Sequence, residues 1–245
     1  MRAIAAYEAA LTVHTREGFP EDWAQTQNNL AIAYRHRIRG ERANNLEQAI
    51  ALYQAALAVR TRETFPIDWA MTQSNLAIAY SDRIRGERAD NLEHAIGLYQ
   101  AALSVYTRED FPKEWARTQN NLTAPFADRI HGERADNLEQ AIALYEAALT
   151  VRTRVAFPTD WAQTQNNLAL ASRYRIRGER EDNLERAIDH YKAALAARTR
   201  EALPRNHLET SRGLGQAFWR SARGTKPRTH CRRRVRHFCC CTVRA

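Results

Sequence analysis

The feature that most constrains this chain is a repeat with a period of 46 residues. Tryptophan recurs at that interval, and so do a proline before it and a leucine after it: Trp23, Trp69, Trp115 and Trp161; Pro20, Pro66, Pro112 and Pro158; Leu30, Leu76, Leu122 and Leu168. A fixed period in this range is typical of a solenoid, in which each unit buries its apolar face only against its neighbours. We therefore expect one extended array.

Each unit is predicted to contain two helices. The first should begin at the proline, which suits the first helical position, and end at a glycine: Gly40, Gly86, Gly132 and Gly178. One face of this helix is apolar over an arc of about 80° on a helical projection, so it is predicted to be buried. In the first unit that face carries Trp23, Leu30, Tyr34 and Ile38.

The second helix of each unit is predicted to start at a capping box, an acceptor followed three residues later by glutamate. The pairs are Asn44 with Glu47, Asp90 with Glu93, Asp136 with Glu139 and Asp182 with Glu185. Arginines before the glycines (Arg37, Arg83, Arg129 and Arg175) are expected to be structural and to pair with a glutamate. No segment alternates with a period of two, so the fold class expected is all-α, with ten helices stacked as antiparallel pairs.

The repeat also predicts the organisation of the chain. The expected boundaries are a partial repeat at 1–18, full repeats at 19–64, 65–110, 111–156 and 157–202, a partial repeat at 203–222, and a disordered tail at 223–245. Because the pattern begins and ends inside a unit, we expect a fragment of a larger signalling protein that self-associates through its uncapped ends. Leu214, Phe218 and Trp219 are expected to be partly uncovered there.

The charge of the chain is concentrated in the tail. The net charge is +9, from 37 Lys and Arg against 28 Asp and Glu, but eight of the basic residues and none of the acidic ones follow Arg220. The repeats are nearly neutral, so nucleic-acid contact is expected only through the tail, as a third hypothesis. All four cysteines also lie there, which predicts a cytoplasmic protein without a disulfide framework. No apolar run approaches the ~20 residues that cross a membrane.

Several strings resemble known repeats. Leu76-Ala77-x-x-Tyr80, followed by Ala95-x-x-x-Tyr99-x-x-Ala102 and Pro112, resembles the tetratricopeptide repeat, although the unit is longer than the usual 34 residues or so. NNLA, at 28–31 and 166–169, is similar to kinesin light chain repeats. The fuller string FPxxWAxTQNNLxxAYxxRIRGERADNLEQAI resembles bacterial arrays found beside CHAT domains, which are caspase-like proteases. The resemblance implies a right-handed superhelix whose first helices line a concave, partner-binding side.

The face of the first helices opposite the buried stripe is then the expected peptide-binding groove. It carries an asparagine ladder, one invariant residue per unit: Asn29, Asn75, Asn121 and Asn167. Beside the ladder lie Asn28, Asn120 and Asn166, the apolar row Ile32, Ile78, Ala124 and Leu170, and the variable positions Met71, Arg117, His36 and Tyr174. An amide both donates and accepts, so it suits a peptide backbone; in tetratricopeptide relatives the matching position binds one. Alternatively, these amides pair between helices and only set their spacing.

No catalytic pattern is found in the repeats, which have no cysteine nucleophile, no glycine-rich phosphate loop and no HExxH. We therefore expect no enzyme, cofactor, metal site or small-molecule substrate, and a protein or peptide partner. The leading hypothesis is an interaction scaffold with a binding groove. The alternative is a structural spacer or self-assembling array without a specific ligand. Pro125 breaks the pattern inside a first helix, which is expected to bend by more than about 20° near Asn121 rather than end.

Overall fold

The computed structural model describes residues 2–224, and within them the regular elements are ten α-helices, as the repeat predicts. They are α1 (Arg2–Ala10), α2 (Pro20–Arg35), α3 (Arg42–Leu57), α4 (Pro66–Asp82), α5 (Arg88–Leu103), α6 (Pro112–Asp128), α7 (Arg134–Leu149), α8 (Pro158–Tyr174), α9 (Arg180–Leu195) and α10 (Pro204–Gly224). Across this described part of the chain, no helix is long and apolar enough to span a membrane. From residue 225 onward, the predicted tail lies outside the described residues.

The helices pack in chain order. Each one contacts the helix before it and the helix after it, so the chain forms an α-solenoid with the predicted period. Successive first helices also contact one another: α2 with α4, α4 with α6, and α8 with α10. The handedness inferred from the resemblance stays a prediction.

Alanine allows neighbouring helices to approach closely. In the cluster between the first two units, Ala31, Ala49 and Ala79 are fully buried around Tyr53 and Leu76. Burial of a leucine such as Leu76 contributes roughly 1.5–3 kcal/mol. Because this cluster combines side chains from α2, α3 and α4, each unit depends on the next one for its core.

The first helices end earlier than the glycines predict. α2 ends at Arg35, so Ile38 lies in the loop and is 98% exposed, and its predicted burial was wrong. The equivalent isoleucines are also exposed: Ile84, Ile130 and Ile176. Trp23 and Tyr34, on the same predicted stripe, are half-buried. The glycines shape the loop instead, with φ between 77° and 82°, a conformation that strains other residues.

The second helices begin before the predicted capping boxes. The N-cap residue of α3 is Glu41, and its side chain makes no capping hydrogen bond. Asn44 lies inside the first turn, where its Nδ2 donates to the Glu41 carboxylate at 2.8 Å. The capping-box prediction was therefore wrong, and three of the four box glutamates have other partners.

Three of those glutamates, Glu47, Glu93 and Glu139, join neighbouring units. Arg83 donates from Nε and Nη2 to the two carboxylate oxygens of Glu47, both at 2.8 Å. The same bidentate pair recurs between Arg129 and Glu93 and between Arg175 and Glu139. The structural role predicted for these arginines is confirmed in the three pairs. In each, the arginine hydrogen bond holds the pKa of the glutamate below its ordinary value.

A buried asparagine near the start of each second helix holds the preceding loop. Asn45 Nδ2 donates to the Arg39 carbonyl at 3.0 Å, and the equivalent bonds, of 2.8–2.9 Å, come from Asn91, Asn137 and Asn183. All four asparagines are at most 4% exposed. The bond satisfies a carbonyl that the turn at the glycine leaves without a helical partner.

Helix α6 runs without interruption through Pro125, so the prediction that it would not end there is confirmed. Pro125 is buried and has no N–H for the Asn121 carbonyl. Thr123 is also fully buried, and its hydroxyl donates to the Gln119 carbonyl at 3.0 Å. The predicted bend of this helix stays a prediction.

The last helix is better covered than the sequence predicts. Leu214 is only 7% exposed because it packs against Ile188 and Tyr191 of α9, so its expected uncovering was wrong. Phe218 and Trp219 are 43% and 56% exposed, as predicted.

Pro125→Ala is expected to raise the melting temperature. Alanine restores the donor for the Asn121 carbonyl and removes the clash of the ring, so the free energy of unfolding should rise by up to about 3 kcal/mol. The reverse change at the equivalent buried position, Ala79→Pro, should lower it by a similar amount. Thermal denaturation followed by circular dichroism measures both. An unchanged or lower melting temperature for Pro125→Ala would mean that the superhelix requires the proline.

Glu139→Gln should lower the free energy of unfolding at pH 7 by about 0.5–1 kcal/mol, because it removes one partly buried ion pair. The hydrogen bond from Arg175 lowers the pKa of Glu139. Its stabilisation is therefore complete above the ordinary glutamate pKa of about 4.3 and is lost as the pH falls through the lower folded-state pKa.

The matched control is Glu185→Gln. Glu185 is exposed, and the residue at the position of the pairing arginine is Ser221. Chemical denaturation from pH 7 to pH 3 should show that Glu139→Gln costs more than the control at pH 7 and that the difference shrinks in acid. Equal costs at pH 7 would contradict a stabilising role of the pair.

Candidate functional site

The predicted peptide-binding positions lie on the first helices α2, α4, α6 and α8 or just after them. Because α2 contacts α4, α4 contacts α6, and Thr164 of α8 donates to Asn120 of α6, equivalent side chains of neighbouring units can form a row. This is a surface for polar and apolar contacts. Among residues 2–224, no group of three or more His, Cys, Asp or Glu side chains is placed to hold a metal ion.

The asparagine ladder is half-buried in all four units. Two of its carbonyl oxygens accept from glutamines one turn earlier, Gln25 to Asn29 at 3.1 Å and Gln163 to Asn167 at 2.9 Å. In the second unit, Nδ2 of the ladder residue donates to Asn28 Oδ1 at 3.2 Å, which links two units. The amides of the ladder can therefore donate to and accept from a peptide backbone, but some of these donors and acceptors already form hydrogen bonds inside the array.

Tyrosines of the second helices lie next to the ladder. Burial raises the pKa of Tyr145 to about 12, although hydrogen bonds with Thr123 and Asn167 act in the opposite direction. In α10 the ladder position is Gly213, where an added Cβ would lie 2.6 Å from the Tyr191 ring. The ladder therefore stops at α8, because Tyr191 fills the space of the next side chain.

The residues just before the ladder connect helices. Asn120 Oδ1 accepts from the Thr164 hydroxyl at 3.1 Å, and Asn166 Oδ1 accepts from the Thr210 hydroxyl at 3.0 Å. Both asparagines are half-buried, whereas Asn28 is 1% exposed. Asn28 is therefore not part of the candidate surface, because its side chain is not accessible to a ligand.

Some side chains of the apolar row pack against the core and are only partly available to a ligand. Ile32 and Ile78 are half-buried and pack against the clusters between units. Leu170 is 43% exposed, and Ala124 is exposed as well. The accessible apolar surface beside the ladder therefore lies mainly on α6 and α8.

Two variable positions lie near the C-terminal ends of the first helices. His36 follows α2 and is exposed, and the nearby Arg35 guanidinium lowers its pKa. Tyr174 is 48% exposed, and its ring centroid lies 4.9 Å from the Arg173 guanidinium and 5.4 Å from that of Arg220. The two ends thus present different chemistry to a partner.

The other two variable positions are equivalent to Gln25. Met71 is half-buried and packs against the cluster around Tyr106. Arg117 is exposed and lies beside the buried Arg152. This row therefore carries an amide, a thioether or a cation, depending on the unit.

Sequence reasoning missed a series of polar side chains that lie between units, all buried except the half-buried His14. They follow each second helix at the same spacing: His14, Arg60, Tyr106, Arg152 and Arg198. Each arginine of the series is at most 7% exposed. Its Nη1 donates to a threonine hydroxyl of the next first helix: Thr72 at 3.3 Å, Thr164 at 3.1 Å and Thr210 at 2.9 Å. The repeated Arg-Thr-Arg strings that carry these arginines were the available signal.

Comparison with known families supports the type of repeat. Residues 23–62 and 69–112 match the tetratricopeptide repeat family, and these segments cover α2–α3 and α4–α5. No curated protein matches the chain. Tetratricopeptide repeats generally mediate protein–protein interaction. The matches, together with the packing of the helices, support a tetratricopeptide-type repeat array.

Proposed function

We propose that the array is an interaction scaffold that binds a peptide or a partner domain along the face of the first helices. The observation that carries this proposal is the asparagine ladder, one amide at the same position of four consecutive first helices. Such a row offers donors and acceptors at a regular spacing, which suits the backbone of an extended segment whatever its side chains. The exposed Leu170 adds apolar contact next to Asn167.

The contacts of α2 with α4 and of α4 with α6 support a binding face on this side. The ladder residue Asn75 also lies within hydrogen-bond distance of Asn28 in the preceding unit. The family matches add that proteins are the usual partners of such repeats. A cytoplasmic role as the sensing part of a signalling protein, beside a CHAT effector domain, belongs to this proposal. That role rests on the resemblance of the repeated string alone.

The ladder asparagines differ in how many hydrogen bonds they already make inside the array, and therefore in how available they are to a peptide. Asn75 donates to the buried Asn28, so its removal would leave a buried oxygen without that donor, at a cost of about 1–3 kcal/mol. Among the described residues, the hydrogen-bond contact of the Asn121 side chain is a long one of 3.5 Å, which its Oδ1 accepts from Asn120. The Asn167 carbonyl accepts from a half-buried glutamine of its own helix. Asn121 therefore tests binding with little effect on folding, whereas replacement of Asn167 also removes a hydrogen bond with the buried Tyr145, so stability is measured alongside binding.

The double variant Asn121→Ala/Asn167→Ala is expected to lose most peptide binding, because two adjacent backbone partners are removed. Its free energy of unfolding should fall by no more than about 1–2 kcal/mol, since neither side chain is fully buried and Tyr145 loses one hydrogen-bond partner. Binding is measured on an array of unbiased short peptides, and the affinities of the hits are then determined by fluorescence anisotropy. The control is Asn44→Ala, an exposed asparagine on a second helix.

Hits retained by the wild type and by Asn44→Ala but lost by the double variant would support the proposal. Unchanged peptide binding by the double variant would contradict it. A large drop in the melting temperature of the double variant would favour the structural alternative, in which the amides only set the spacing of the helices.

A further inference from the structure

The buried arginines between units differ in their charged surroundings. Arg60, between the first two full units, donates from Nη2 to Gln25 Oε1, and the same nitrogen lies 3.5 Å from Asp68. Glu21 adds a second negative charge nearby. The Arg60 guanidinium therefore has a hydrogen-bond acceptor, Gln25, and two nearby carboxylates that compensate its charge.

Around Arg152, two units further on, Asp160 keeps the position of Asp68, but the glutamine and the glutamate are missing. Arg117 replaces the glutamine, and Lys113 replaces the glutamate. Within residues 2–224, the guanidinium of Arg152 makes a single hydrogen bond, from Nη1 to the Thr164 hydroxyl. Burial lowers the pKa of Arg152, and Arg117 adds to this effect, whereas Asp160 opposes it. A cation that is 93% buried therefore has a second cation where its relatives have an acceptor.

These side chains line a cavity of about 60 Å³, which we call the Arg152 cavity. Its lining is Lys113, Arg117, Val151, Arg152, Phe157 and Asp160. One water needs about 10–15 Å³ of such volume, so the cavity has room for several waters or for a small oxyanion. It adjoins the first turn of α8, where backbone amides lack helical acceptors and favour an anion.

We propose that the Arg152 cavity binds a phosphate group. Its three cations face one carboxylate, that of Asp160, so the cavity has an excess of two positive charges. A phosphate monoester carries a charge of about −1.5 to −2 at pH 7 and three acceptor oxygens, which matches this excess; a carboxylate would neutralise only half of it. Arginine forks bind phosphate through parallel N–H donations, and the anion would supply the acceptor that Gln25 gives to Arg60.

This proposal goes beyond the peptide scaffold, since it does not use the asparagine ladder. It is specific to one junction of the array. Arg198 also retains its glutamine, because its Nη2 donates to Gln163 Oε1. The position of Tyr106, between the second and third units, has no guanidinium. The other junctions therefore serve as internal controls for the Arg152 cavity.

The test measures the binding of inorganic phosphate to the full chain by isothermal titration calorimetry at constant ionic strength. Arg117→Gln introduces the residue found at two equivalent positions, so it should fold, and it should weaken phosphate binding about tenfold or more. The control is Arg186→Gln, an exposed arginine on α9 that removes the same charge elsewhere. Affinity should also fall as the pH drops through about 6, where phosphate gains a proton.

A second experiment tests whether phosphate binding can be created at another junction. Glu21→Lys/Gln25→Arg gives the Arg60 junction the cations of the Arg152 cavity and should raise the stoichiometry from one phosphate to two. A short peptide containing phosphoserine, compared with its unphosphorylated form, identifies the source of the group. Tighter binding of the phosphopeptide than of inorganic phosphate would assign the cavity to a modified protein, and the reverse order would assign it to free phosphate.

Either order supports a phosphate site if Arg117→Gln weakens the binding and Arg186→Gln does not. Absence of phosphate binding by the wild-type chain would overturn the proposal. So would an equal loss of affinity in the two variants, because it would reduce the effect to overall charge. A loss of peptide-array binding in Asn121→Ala/Asn167→Ala leaves this result unaffected, so the two proposals can fail separately.

Discussion

The close packing of alanine-bearing helices between neighbouring units is the constraint on which the rest of the structure depends. Ala24, Ala70, Ala116 and Ala162, one in each first helix, are all fully buried. A larger side chain at these positions would separate the backbones and leave the tyrosines and leucines of the core without neighbours. In α10 the equivalent residue is Leu208, which is 70% exposed, because no helix after α10 packs on it in the described part of the chain. Packing against the neighbouring helices therefore decides whether this position of a first helix needs an alanine or accepts a larger side chain.

Polar contacts between units fix how each unit is aligned along its neighbour. An arginine such as Arg60, 2% exposed, is tolerated where Thr72 and Gln25 meet its guanidinium, because an unpaired buried charge is strongly unfavourable. The bidentate pair of Arg83 with Glu47 fixes the same junction from the opposite end of the helices. Shifting one unit along its neighbour would break both sets of contacts, so they oppose slippage even where each contributes little net stability.

The individual character of the array comes from the units that depart from the repeat. Among the departures on helix α6 are Pro125 in its last turns and Arg117 near its start. The first removes a backbone donor next to the ladder residue Asn121, and the second places a cation beside Arg152. Both proposed binding regions therefore adjoin the same helix, while its neighbours keep the common pattern that holds the array together.

The sequence by itself determined the period, the number and order of the helices and their proline starts, because these follow from patterns repeated in every unit. It also located the ladder. Only the tertiary structure decided where Ile38 lies, that Asn28 is buried, that Glu47 pairs with Arg83, and that Arg60 is enclosed. The physical reason is the sequence distance between the interacting residues. A helix cap involves adjacent residues and contributes only about 1 kcal/mol. These positions and pairings depend on packing against residues about one unit away, which outweighs local preferences.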